Sequence, residues 1–358
     1  MTRLIELLIA LAIVAVIFVS VGAVLPSSRH LSHSVETNRK QTIVFDTLNS
    51  LRRFEDWNPL VMKDRAMQVK LSGPEAGVGA RLDYSSKERG LGDGSWEIIE
   101  SEPGSRIVYA VEDVEPGNNK RTAFTLRKTG TGGRNIAINQ TYDIDYGWNL
   151  IGRYAGLYVS SNVGEDMKMG LARLTNMLAT VPNYDYAEMS QDDPSKAPKL
   201  AQRPAENLLV VTAVVPRDNE KVLAQMKGNV EWIKKVMAAN GLEAAGPVRI
   251  ITNDFGAESY SFDVAQPVRK AGAAGVATAI TDIKLEGPVT VAFNEKAELA
   301  VAPFKGHMAN LPRMRDALRA WALTRGYETV ERPYEVWTGG IDAGFTEEGE
   351  YEIYWSVQ

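Results

Sequence analysis

Leu7 to Leu25 reads LLIALAIVAVIFVSVGAVL, an uncharged apolar run that ends at Pro26 and gives way at once to polar residues. Such a run needs either a bilayer or a large protein interior around it. As a helix, roughly 19 residues at 1.5 Å rise cover close to 30 Å, the thickness of a bilayer's hydrocarbon core. The apolar core of a cleavable secretory signal is usually shorter and ends in a small-x-small site. Gly22-Ala23 before Val24-Leu25-Pro26 matches that poorly. Residues 1–26 are therefore expected to be a retained transmembrane anchor, with a cleaved signal as the alternative. Arg3 precedes the run and Arg29, Arg39 and Lys40 follow it. The positive-inside rule thus tilts only weakly toward a cytoplasmic bulk and leaves sidedness open. The expectation is a single-pass protein of a bacterial inner membrane.

Charged residues make up 24% of the chain and hydrophobic ones 44%, so the ~330 residues beyond the run suffice for two ordinary domains, each with its own core. A net charge of −5, with no lysine- or arginine-rich block, argues against nucleic acid as a direct partner, because phosphate binding leaves a basic footprint. Cysteine is absent, which excludes a disulfide scaffold, a thiolate nucleophile and a cysteine zinc site. The histidines are His30, His33 and His307. His30 and His33 are close enough in sequence to suit a metal, but no third ligand is near and they read as part of a solvated linker. No metal and no cofactor is expected.

Asn183 to Glu206, NYDYAEMSQDDPSKAPKLAQRPAE, is polar, carries Pro194, Pro198 and Pro204, and shows no lasting apolar period. That composition predicts a linker over 183–206 between a first domain at 33–181 and a second at 207–358.

In the first domain a short amphipathic segment, Ile43 to Leu51, leads into Trp57-Asn58-Pro59. Short strand-like stretches follow, Gly79–Ser85, Gly94–Glu100, Arg106–Glu112, Thr122–Arg127 and Asn135–Ile144, separated by turns such as Glu102-Pro103-Gly104. The pattern is an antiparallel meander. Val163, Met167, Leu171, Leu174 and Leu178 then recur at helical spacing, predicting one long helix that covers the sheet. A curved sheet wrapped on such a helix encloses a cavity when the inward side chains do not fill it. The WNP, the strands GVGARLDYSS and GDGSWEIIESEPGSRIVY, and the helix NVGEDMKMGLARLTNML resemble the START-related polyketide cyclase/lipid-transfer superfamily (SRPBCC, helix-grip fold). The resemblance implies a cavity for a lipid or another apolar molecule and no shared catalytic set. The family's proline-bearing entry to the first helix is missing from Thr37 to Phe45. Trp57 is either a pocket residue or a core plug, and the core reading is preferred because aromatics dominate core burial.

The second domain carries an internal duplication. Leu208–Val215 is followed by a helix from Asp218 to Asn240 stopping at Gly241, and Glu298–Phe304 by a helix from Met308 to Arg325 stopping at Gly326. Each glycine suits a left-handed cap, and two strands follow each helix, giving a pair of β-α-β-β units. Both helices are expected on one face of a shared sheet, with the opposite face open as a groove. ELAVAPFKGHMANLPRMRDALRAWALTRGYE, RPYEVWTGG and EYEIYWSVQ resemble the gyrase-inhibitor-like family, an AraC-type effector-binding domain also attached to multidrug-responsive regulators. The resemblance implies a groove for cationic or amphipathic ligands, with Glu352 as its carboxylate and Trp337 as the aromatic on the preceding strand. The DNA-binding segment that accompanies this domain in regulators is absent. Strand alternation puts Ile353, Trp355 and Val357 on the helix side and Glu352 with Tyr354 on the other. Trp337 is expected beside them, and Tyr260 completes the candidate ligand-binding set.

The expected fold class is α+β: a transmembrane helix, a helix-grip domain and a duplicated β-α-β-β domain. The favoured function is a membrane-anchored protein that senses or sequesters amphipathic small molecules, cationic ones included. A second reading is a small-molecule hydrolase using Glu352 as general base and a nearby tyrosine as proton donor. A third is a protein-interaction module whose partner the sequence does not name. Gly272-Ala273-Ala274-Gly275 has no preceding strand and reads as the loop joining the repeats, not as a nucleotide fingerprint.

Overall fold

In a computed structural model, which describes residues 2–273, 275 and 277–358, the apolar run is a single helix, α1 (Thr2–Val24). Leu7, Leu11 and Val16 are each 64–66% exposed. A helix apolar on every side and bare except at its C-terminal end near Gly22 is not a core helix; it suits an apolar solvent.

The chain divides into two units, Met1–Val181 and Pro182–Gln358. In the first, β1 (Ser28–Thr37) is followed by the short helices α2 (Gln41–Leu48), α3 (Phe54–Trp57) and α4 (Leu60–Lys63). Then come β2 (Gln68–Ser72), β3 (Arg81–Ser85), β4 (Asp93–Glu102), β5 (Arg106–Glu112), β6 (Asn118–Thr129), β7 (Asn135–Asp145), α5 (Leu150–Ala155) and α6 (Val159–Thr180). The strands make one antiparallel sheet in the order β1-β7-β6-β5-β4-β3-β2. Period-two alternation sets its inner face: along β7, Ile136, Ile138, Gln140, Tyr142 and Ile144 are all buried. α6 buries Met167, Leu171, Leu174 and Leu178, the stripe read from the sequence. His30 and His33 lie in β1 and not in a linker, paired with β7 from Ser28↔Asp145 to Thr37↔Ile136. That edge strand is polar, SRHLSHSVET, and only half-buried on its inner side, so no apolar pattern announces it. The His30 Nδ1 lies 2.6 Å from an Asp143 carboxylate oxygen.

The second unit holds β8 (Lys199–Arg203), β9 (Glu206–Pro216), α7 (Asn219–Ala239), β10 (Leu242–Ala244), β11 (Arg249–Phe255) and β12 (Ser259–Lys270). It continues through β13 (Thr290–Asn294), β14 (Ala297–Lys305), α8 (Leu311–Thr324), β15 (Thr329–Val336) and β16 (Glu350–Val357). The duplication is visible in the sheet, where β9-β12-β11 meets its counterpart β15-β16-β14 along the β11–β15 seam. Gly241 and Gly326 adopt φ of +60° and +79°, the left-handed caps expected after the two helices. The segment between β12 and β13 joins the repeats, as expected of Gly272-Ala273-Ala274-Gly275, of which Ala274 lies outside the described residues.

Two expectations change together here. The stretch expected as a linker belongs to the second unit: Tyr186 is buried, and β8 pairs with β14 from Lys199↔Val301 to Arg203↔Ala297. β8 runs into β9 across Pro204 and Ala205, just as β13 runs into β14 across Glu295 and Lys296. These two bent ribbons pair along their length, so the sheet curls round on itself. The face expected to be open is consequently filled, with Arg203, Glu206, Arg249 and Tyr334 all buried.

Candidate functional site

A cavity of about 880 Å³, counting its open mouth, lies in the first unit between sheet and α6. That figure includes open solvent; the space open to the centre of a water-sized sphere is about 140 Å³, the scale of a cavity of about 150 Å³ that holds one benzene-sized molecule. Its walls come from four sources: Trp57 and Pro59 from the WNP corner, Trp96 and Val111 from β4 and β5, Thr122, Gln140 and Tyr142 from β6 and β7, and Val163, Asp166 and Met167 from α6. The rings form a continuous cluster, Trp57 meeting Phe124 edge-on at 5.6 Å and Trp96 meeting Tyr109 at 5.5 Å. Trp57 is 3% exposed, so it is at once a core plug and a cavity wall.

The polar groups in this lining are unusual. The indole Nε1 atoms of Trp57 and Trp96, the Tyr142 hydroxyl and the Gln140 Oε1 are all buried and find no hydrogen-bond partner among the described residues. Buried polar atoms are nearly always paired, since leaving one unpaired costs about 1–3 kcal/mol. All four belong to residues that line the cavity. Gln140 is held in place by its Nε2 donating to Thr122 Oγ1 at 3.2 Å, whose hydroxyl donates in turn to Thr141 O at 2.9 Å. Burial, with Asp113 adding to it, raises the Tyr142 phenol far above its ordinary value, and burial with Asp113 and Asp93 pushes Tyr84 up to about 12. Both remain neutral at physiological pH. The residues lining the cavity thus include two tryptophans, a tyrosine and a glutamine among apolar walls. Lys63 and Asp166 pair across its rim at 2.5 Å.

The four residues singled out in the second unit do not converge. Glu352 and Tyr354 share one side of β16, where the Tyr354 hydroxyl donates to Glu352 Oε2 at 2.6 Å and the ring stacks on Tyr334 at 4.9 Å. Trp337 lies on the other side, edge-on to Tyr351 at 5.2 Å. The β15–β16 register sets this: Val336 faces Glu352 and Glu335 faces Ile353, so Trp337 falls in with Glu335. Period two within each strand was legible; the register between strands was not. Tyr260 is also on that side, its hydroxyl 3.0 Å from Thr252 Oγ1, which accepts from Arg315 of α8 at 2.7 Å. Burial pushes Tyr260 up to about 12.

Sequence reasoning missed the residue at the middle of this side. Glu335 is fully buried opposite Ile250 at the seam of the two repeats, and Arg315 Nε donates to its Oε1. Its Oε2 and the Trp337 Nε1 find no partner among the described residues. The signal was present in RPYEVW, where a lone acid stands in an otherwise apolar strand end. On the enclosed side an arginine plays the same part: Arg249 makes two 2.6 Å bonds to Glu206 and lies over the Tyr334 ring at 4.6 Å. Each buried acid thus already holds one of the chain's own cations.

No protein-family model and no curated protein matches the chain. Among solved structures it is similar to the EcmrR C-terminal domain, at 17% identity over 45% of this chain and 96% of that one, with a TM-score of 0.36. It is also similar to a truncated norcoclaurine synthase from Thalictrum flavum, at 12% identity over 43% of this chain and 94% of that one, with a TM-score of 0.33. A protein from Thermobifida fusca solved in solution matches at 18% identity over 42% of this chain and 93% of that one, with a TM-score of 0.32. At these values the likeness transfers neither ligand nor activity.

Proposed function

We propose that this is a membrane-anchored binding protein whose first unit takes up an amphipathic small molecule, to sense or sequester it. The observation that carries the reading is the cavity, whose lining residues hold four unpaired buried polar atoms. The ligand this chemistry fits has an apolar body and a compact neutral group that accepts from indole or phenol donors and gives one hydrogen bond to Gln140. The exposed apolar surface of α1 supports retention in a bilayer. The second unit is less suited to cations than expected, because Arg315 and Arg249 already occupy the buried acids. Glu352, half-buried beside Tyr354, remains its candidate for a cationic headgroup.

Fluorescence of the neutral probe N-phenyl-1-naphthylamine, added to the full chain in detergent, tests the reading. Met167→Trp, which fills the cavity, should weaken probe binding at least tenfold, and Glu352→Gln should leave it unchanged. Equal binding by the Met167→Trp variant would refute the assignment. One observation favours hydrolysis as a second reading, the hydrogen bond that already joins Tyr354 to Glu352. Under it, Glu352→Gln abolishes turnover of a small ester and leaves its affinity intact.

A further inference from the structure

The C-terminal end of α1 is clamped to α5. Arg153 Nη1 donates to the carbonyls of Gly22 (3.3 Å), Ala23 (2.8 Å) and Leu25 (3.2 Å), and its Nε to Gly147 O (2.8 Å). These bonds cap carbonyls that the helix itself leaves orphaned and set a positive charge at the negative end of its dipole. Higher up, Tyr154 stacks on Phe18 at 4.7 Å and donates to Phe18 O at 2.9 Å. The approach depends on Gly22, where a Cβ would come within 3.2 Å of Tyr154 and 3.3 Å of Leu150. At 1.5 Å rise per residue, Phe18 is about 10 Å back from Leu25 along the axis. If α1 crosses a bilayer, α5 is drawn in to that depth with it.

The outward side chains of this corner agree with that position. Trp148 is 82% exposed, Ile151 69%, Leu157 50% and Tyr158 65%. Aromatic residues at both ends with aliphatic ones between them form the composition of the boundary between headgroups and acyl chains. The surface is continuous with the anchor, so its occupant is the same lipid.

We propose that residues 148–158 are a foot seated in the bilayer interface beside α1, and that it holds the open rim of the cavity against the lipid surface. The proposal rests on the reading of α1 as a retained anchor. The rim follows from the sheet: Ser28 and Asn118 both pair with Asp145, Ser95 pairs with Glu112, and Ser85 with Asp93. The β3–β4 and β5–β6 connections therefore lie at the end of the sheet where α1 enters and α5 leaves. Leu91, Val114 and Glu115 of those connections line the cavity, and Val114 is 54% exposed. An apolar ligand passes between bilayer and cavity over this rim without crossing bulk water.

The chain has no cysteine, so single substitutions Ile13→Cys, Ile151→Cys, Leu157→Cys, Val114→Cys and Thr131→Cys can each carry a nitroxide on the full chain in phosphatidylcholine–phosphatidylglycerol nanodiscs. Accessibility to oxygen against a water-soluble nickel chelate reports depth. The expected order is position 13 deepest, 151 and 157 within the acyl boundary, 114 at headgroup level, and 131, in the turn at the far end of the sheet, in water. Nickel access at 151 and 157 with position 13 lipid-buried overturns the foot and leaves the anchor. A label at 114 as open to nickel as one at 131 overturns the rim. Nickel access at 13 removes the anchor, and the foot with it.

Discussion

A buried hydroxyl without a partner is a penalty that the folded protein carries until something binds it. Tyr142→Phe removes that penalty and keeps the shape of the ring. The ligand-free protein should gain about 1 kcal/mol in urea denaturation, while affinity for a ligand with a hydrogen-bonding group should fall severalfold. Lower stability with unchanged affinity would mean that the hydroxyl is paired within the fold. Tyr84 and Tyr260 give a second test, since burial lifts both from about 10 to about 12. A phenol whose folded value is raised contributes stability that is complete below the unfolded value and is lost as pH rises toward the folded one. Stability should therefore decline between pH 10 and 12, and absorbance titration should show phenolates appearing late. At this scale the sequence was partly legible. Trp57 stood out beside Asn58-Pro59, whereas Gln140 and Tyr142 were read only as part of the strand Asn135–Ile144, and which inward residues border space depends on how far α6 stands from the sheet. No local pattern encodes that distance.

Elements differ in how plainly their sequences announce them. α6, α7 and α8 carry apolar stripes, and each was expected close to where it lies. β1 and β8 are polar edge strands held mainly by their ladders; β8 passed for linker, as did His30 and His33 of β1. Missing β8 also hid the curl of the second sheet, because an open sheet and a closed one differ by that single pairing. α8 packs on β15 through Arg315 and the buried Glu335. Arg315→Ala strands a fully buried carboxylate and should cost about 3–5 kcal/mol in urea denaturation. Arg315→Met combined with Glu335→Leu should recover most of that loss. If the single substitution costs under about 1 kcal/mol, water reaches Glu335 and the acid is open to ligands after all.

For the molecule as a whole, two units, an apolar helix long enough to span a membrane and a mixed α+β class follow from length, the apolar run and the two periodicities. The ligand assignment does not follow from them, because composition cannot show which of two possible sites is filled by the chain's own side chains. The second unit gives each of its buried acids an arginine, though Glu335 Oε2 and Trp337 Nε1 stay unpaired among the described residues, whereas the first holds a cavity lined by apolar and aromatic side chains. Native mass spectrometry of the full chain released from detergent compares the two directly. Wild-type protein should carry one small apolar molecule, Glu352→Gln the same adduct, and Met167→Trp should be bare. An adduct that survives Met167→Trp and disappears with Glu352→Gln, or no adduct on the wild type, would contradict the assignment of the ligand to the first unit.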